Sequence, residues 1–193
     1  AGVPKETPAF TVNRLCGSGV QAIVSAAQAI QSGDVRVALA GGAESMSRGP
    51  YWLPAGRWGA RMGEAAVVDP VSGALTDPFH DILMGVTAET LAERHGITRE
   101  QQDAFALESH RRAQAARDAG RFRDEIVPVT VRTRKGEATF AVDEHIRDDA
   151  SPEALAALRP VFRRDGTVTA GNASGMNDAG AACVLMAADA AAE

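Results

Sequence analysis

The feature that most constrains this chain is a change of period at Gly17. Residues 10–15 (FTVNRL) have the composition of a short strand, with no helical spacing. From Gly17 onward Val20, Ile23, Val24, Ala27 and Ile30 recur at the spacing of one helix face. Ser32-Gly33-Asp34 stops that pattern, and VRVALAGG (35–42) follows as an apolar run of strand length. Strand, helix and strand in about thirty residues make a βαβ unit, and such a unit predicts a parallel sheet. An α/β fold is therefore expected. Cys16 stands at the junction, on the turn between the first strand and the helix.

Composition narrows the partners. With 193 residues, 45% hydrophobic and 23% charged, the chain can bury the core of one sizeable domain or of one domain with an insertion. A net charge of −5 and only 5% aromatic residues argue against a nucleic-acid surface, which needs cations and stacking rings. No apolar run reaches the roughly 18 residues of a membrane span, and AGVPKETPAF lacks the basic start and apolar core of a signal peptide. Cys16 and Cys183 are far apart and lack metal-ligand spacing, so a cytoplasmic protein with reduced thiols and no metal is expected. The missing initial Met and the end within AADAAAE suggest a piece of a longer protein.

Beyond the βαβ unit the chain turns irregular. Residues 45–80 carry Pro50, Pro54, Pro70, Pro78 and both tryptophans without periodicity, and a loop of this length is usually functional. A helix is expected at about 84–95, closed by Gly96. Thr98 and Gln101 form a T-x-x-Q capping box for a second helix running to about Gly120. Residues 125–142 predict two strands around a turn and 152–158 a short helix. A glycine-rich turn then leads to a small-residue strand at 180–187, where Cys183 is expected to be buried.

Two readings of Cys16 stand side by side on local grounds. A cysteine attacks as its thiolate, and a helix N-terminus favours negative charge. The neighbouring Gly17 and Gly19 leave room for a carbonyl to approach the backbone. A strand-to-helix turn carrying a nucleophile is a known device. Free cysteine is also one of the most commonly buried residues, and a purely structural role fits equally well.

Five segments in order separate these readings: VNRLCGSGVQAI, AGGAESMSRGPY, GRWGARMG, LTDPFHDILMGVTAE and TVTAGNASGMNDAGAA. Together they resemble the thiolase family, most closely its bacterial β-ketothiolases and acetyl-CoA acetyltransferases. The resemblance implies the layered αβαβα thiolase fold. Residues 1–45 and 177–193 would form part of the N-terminal α/β domain, and 46–176 the inserted α+β loop domain that contacts coenzyme A. The C-terminal domain is expected to be absent. Cys16 is implied as the residue that carries the acyl group as a thioester. Leu75 and Met84 match positions lining the pantetheine tunnel, Arg147 and Phe162 positions near the adenine and its phosphates, and Ala170 and Ser174 positions along the pantetheine arm. Without the resemblance, Phe162 and Met84 read as core residues. The implied reaction is thiolytic cleavage of a 3-oxoacyl-CoA or its reverse, Claisen condensation of acetyl-CoA. Acyl-CoA and CoA are substrates and no cofactor is required. Assembly as a homodimer or homotetramer is also implied.

The sequence departs from the family in three ways. The N-E-A-F, His-Pro-x-Gly and second Cys-x-Gly segments of thiolases do not occur in it. His80, His95, His110 and His145 match no catalytic position and read as surface or packing residues. Leu83 stands where many acetoacetyl-specific relatives have a histidine before Met-Gly. The arginines between 111 and 123 alternate with acids, as on a solvated face. A catalytically inactive CoA-binding module, or an interaction subunit, is the alternative to an enzyme.

Overall fold

The helix read from the apolar spacing forms as α1, Ser18–Gln31, after a tight turn at residues 14–17. It leads into β1, Val37–Ser45, which pairs with β6, Asp178–Met186, from the far end of the chain. Their register runs from Val37 opposite Met186 to Ser45 opposite Asp178. Asp178 closes that end: its carboxylate accepts the Ser47 N–H at 2.9 Å and the hydroxyls of Ser45 and Ser47. The Ser47 hydroxyl bond is the main reason the Asp178 carboxyl is held below the usual carboxylate range.

β1 and β6 share one sheet, and two details differ from the expected βαβ unit. Residues 10–15 form no strand, only an isolated bridge between Arg14 and Cys16. The β1–β6 pair is antiparallel, as are both other strand pairs among the described residues. A parallel arrangement depends on an ordered strand before α1, and without one the neighbour that supplies a ladder is β6. The structure is a computed structural model and describes residues 2–192.

Chain contacts divide the molecule into two units, 1–74 with 176–193, and 75–175. The second unit is thus narrower than the expected 46–176, because residues 46–74 cluster with the first. That stretch holds two short 3₁₀ turns and α2, Pro70–Ala74. A bridge between Trp52 and Val68 folds it back on itself.

In the first unit Ala40 is the buried apolar residue among those described, whereas Val20 of α1 and Leu39 and Val184 of the strands are exposed. Cys183 is exposed too, contrary to expectation. A two-stranded ribbon has one helix to cover it, and the Cys183 side chain is left outside that cover.

The second unit begins with a two-residue hairpin, β2 (Thr76–Asp77) and β3 (Ile82–Leu83). Two helices follow, α3 (Met84–His95) and α4 (Arg99–Asp118). Gly96 takes the left-handed φ of 61° that ends α3, a conformation costly for other residues. The Thr98 box forms in full, its hydroxyl accepting the Gln101 N–H at 3.3 Å and the Gln101 side chain accepting the Thr98 N–H at 2.9 Å. β4 (Val129–Thr133) and β5 (Gly136–Phe140) make the expected hairpin, and α5 spans Pro152–Ala156. The core of this unit comprises Ala92, Leu107, Leu155 and Val168.

Candidate active site and coenzyme A wall

Cys16 is exposed on the turn that opens α1. The turn is held by its neighbours. Leu15 before it has φ of 47°, a left-handed conformation that costs an ordinary residue roughly 1–2 kcal/mol. Such strain persists only where surrounding bonds enforce it, and it concentrates at functional sites. Here the Ser18 hydroxyl does the enforcing. It accepts the Arg14 N–H at 2.8 Å and donates to the Leu15 carbonyl at 2.7 Å. Asn13 Oδ1 accepts the Leu15 N–H at 3.0 Å. The N–H groups of Gly17 and Ser18 bond the carbonyls of Arg14 and Leu15, so these two donors are already engaged. The Ser of the C-G-S-G stretch is therefore a clamp on the turn, a role that residue spacing alone does not reveal.

The six residues matched to coenzyme A all fall in the second unit, whereas Cys16 belongs to the first. Several are tied to one another. The Met84 N–H donates to the Leu75 carbonyl at 2.9 Å, which joins these two residues across the hairpin. Phe162, half-buried, lies against Gly85: a Cβ there would come closer than 3.0 Å to three ring carbons. Gly85 has no positive φ, so the requirement is space rather than backbone freedom. Met84 and Phe162 thus flank the same helix start. Ala170 and Ser174 are exposed and sit on the segment that follows Phe162. Within it the Thr169 N–H donates to Asn172 Oδ1 at 2.8 Å and the Gly171 N–H to the Thr169 hydroxyl at 3.2 Å. TAGNASG is therefore a side-chain-tied turn.

Arg147 is exposed, and its backbone is fixed from both sides. Its N–H donates to His110 Nδ1 at 3.2 Å, and Asp148 pairs with Arg117 of α4 at 2.9 Å. His110 and His145 have ring centroids 6.0 Å apart. His110 thus fixes the Arg147 backbone, and His145 lies beside the His110 ring. His80 is exposed and bonds Asp77 at 2.6 Å, and that bond is the main cause holding the Asp77 carboxyl below its ordinary value. Leu83 is exposed just before Met84 and supplies no polar atom there. Among the described residues no group of three or more His, Cys, Asp or Glu is arranged to hold a metal ion, and no helix is long and apolar enough to cross a membrane.

Residues 1–189 match the thiolase N-terminal domain. The chain belongs to the thiolase family. It is 64% identical over 186 residues to the β-ketothiolase BktB of Cupriavidus necator, covering 96% of this chain and 47% of that protein. It is 50% identical to the mitochondrial 3-ketoacyl-CoA thiolase of Bos taurus, covering 98% of this chain and 48% of that one. The crystal structure of the Bacillus anthracis acetyl-CoA acetyltransferase superposes with a TM-score of 0.93 at 50% identity, over 99% of this chain and 48% of that chain. Human mitochondrial 3-ketoacyl-CoA thiolase in complex with CoA gives a TM-score of 0.90 at 46% identity, over 99% and 48%. The thiolase fold expected from the motifs is thus confirmed, and the chain spans about half the length of the curated relatives it matches.

Proposed function

We propose that this chain is the nucleophile-bearing half of an acyl-CoA:acetyl-CoA C-acyltransferase. The observation that carries the proposal is Cys16 on its clamped turn at the start of α1, within a chain that matches the thiolase N-terminal domain almost throughout.

In the degradative direction the Cys16 thiolate attacks the 3-oxo carbon of a 3-oxoacyl-CoA. The bond between C2 and C3 breaks, the acyl group stays on sulfur as a thioester, and the C2 carbanion takes a proton to leave as acetyl-CoA. The thiolate of a second CoA then takes the acyl group and releases Cys16. Condensation is the same path reversed. Both directions need a base for the thiol, an acid for the carbanion and donors for two oxyanions. The family segments that carry such groups, N-E-A-F, His-Pro-x-Gly and Cys-x-Gly, do not occur in this sequence.

Coenzyme A is assigned to the second unit. Leu75 and Met84 would face the pantetheine, Ala170 and Ser174 would follow its arm, and Arg147 and Phe162 would meet the phosphates and adenine. An exposed guanidinium suits a phosphate or a purine face, and apolar side chains suit the arm. The human mitochondrial relative crystallises in complex with CoA, which supports CoA as the ligand, and the placement of its parts on these residues rests on the resemblance. No cofactor beyond the CoA substrate is proposed. A cytoplasmic location and assembly as a homodimer or homotetramer complete the proposal and rest on the resemblance.

The test is transfer of one acetyl group from acetyl-CoA to Cys16, read by peptide mass mapping and abolished by Cys16→Ala. Acetoacetyl-CoA mixed with CoA and the chain alone should show no sustained loss of enolate absorbance, because each missing acid–base group costs about 10²–10⁴-fold. Absence of acetylation despite measurable CoA binding would instead favour the inactive CoA-binding module.

A further inference from the structure

Glu89, in the middle of α3, is a charged side chain left only 4% exposed and without a part in the chemistry above. Its carboxylate is fully occupied by one distant segment. Thr167 N–H donates to both oxygens, at 2.9 and 2.8 Å, Val168 N–H donates at 2.9 Å and the Thr167 hydroxyl at 3.0 Å. Asp103 on α4 repeats the device at 8% exposure, accepting Asn172 Nδ2 at 2.9 Å while Arg99 donates to it at 2.7 Å. Asn172 Nδ2 also reaches the Thr167 carbonyl at 3.0 Å.

Burying a carboxylate costs several kcal/mol before its partners compensate, and apolar packing would serve stability as well. What apolar packing cannot do is terminate backbone N–H groups of a segment that belongs to no strand. The segment from 163 to 172 is such a stretch, with one bridge between Pro160 and Thr169. It begins directly after Phe162, contains Ala170 and ends just before Ser174.

We infer that Glu89 is a positioning residue for coenzyme A: by gripping the backbone of Thr167 and Val168 it sets where Phe162, Ala170 and Ser174 stand. The inference rests on the assignment of coenzyme A to this unit. Glu89 itself touches no substrate. Its carboxylate on α3 and the Phe162 ring on Gly85 of the same helix hold the segment at two points four residues apart on α3.

The experiment titrates the chain and its Glu89→Gln variant with CoA by calorimetry, at a temperature where circular dichroism shows both folded. Gln keeps the volume and one acceptor oxygen but loses the charge and the second acceptor. Kd for CoA should rise about tenfold, the effect of weakening one charge-assisted hydrogen bond. The alkylation rate of Cys16 should stay unchanged, because a general loss of structure would move both. If Glu89→Gln does not fold, Thr167→Val, which removes the hydroxyl's bonds to Glu89 and to Gln102 but keeps both backbone donors, should raise Kd about threefold. An unchanged Kd in whichever folded variant is measured overturns the inference and leaves the coenzyme A assignment standing. A wild-type chain that binds no CoA overturns the assignment and the inference with it.

Discussion

Gly85→Ala is the sharpest test of how the proposed coenzyme A wall is assembled. Gly85 is the second residue of α3, and its backbone is one an alanine can adopt. By helix propensity alone the substitution should stabilise the protein by up to about 1 kcal/mol. The Phe162 ring opposes this, because an added Cβ would lie closer than 3.0 Å to three of its carbons, whereas ordinary van der Waals contact begins near 3.4 Å. Overpacking of that kind costs about 1–3 kcal/mol. The ring is half-buried and can give way, so the lower half of that range applies, and the net effect should be a loss of roughly 1 kcal/mol. A double-mutant cycle isolates the contact. In a Phe162→Ala background the obstacle is gone, and Gly85→Ala should become stabilising by up to about 1 kcal/mol, a coupling of about 2 kcal/mol within the usual span for touching residues. Urea unfolding of the four proteins at a common m-value measures it. If Gly85→Ala shifts the midpoint equally in both backgrounds, the ring does not rest on the glycine and the joint placement of Met84 and Phe162 is wrong.

The remaining predictions are simpler. Iodoacetamide at neutral pH should label Cys16 before Cys183, with acetyl-CoA protecting Cys16; since both are exposed, equal labelling would remove the case for a special environment. Ser18→Ala should slow Cys16 alkylation while Ser18→Thr restores it, because the hydroxyl spans the strained Leu15; identical rates in all three would show that the clamp is dispensable. Thr98→Ala should cost about 1 kcal/mol through loss of the capping box, read as a lower melting temperature. Burial raises the Glu89 pKa, but hydrogen bonds from Thr167 and Val168 overcome it and hold the carboxyl below its ordinary value of 4.5. The folded-state pKa is depressed, so this stability is present above pH 4.5 and is lost as pH falls through the lower folded value. Glu89→Gln should flatten the acid limb of the stability curve relative to the wild type.

Local signals are legible from the residues wherever the cause is local. The α1 face follows from apolar spacing, the α3 stop from Gly96, and the α4 start from Thr98 and Gln101, since each depends on atoms within a few residues. The order of motifs is enough for the family, and it offers Cys16 and the six coenzyme A candidates as proposals. Tertiary contact decides the rest. The partner of β1 lies more than 130 residues away, and nothing in VRVALAGG says that it runs antiparallel. Cys183 reads as buried because its neighbours are small and apolar, but burial depends on what covers a sheet. Nothing in the residues around Glu89 marks it. Only the folded chain brings two backbone N–H groups from Thr167 and Val168 to its carboxylate, because the bond energy is local in space and spans 78 and 79 residues along the chain.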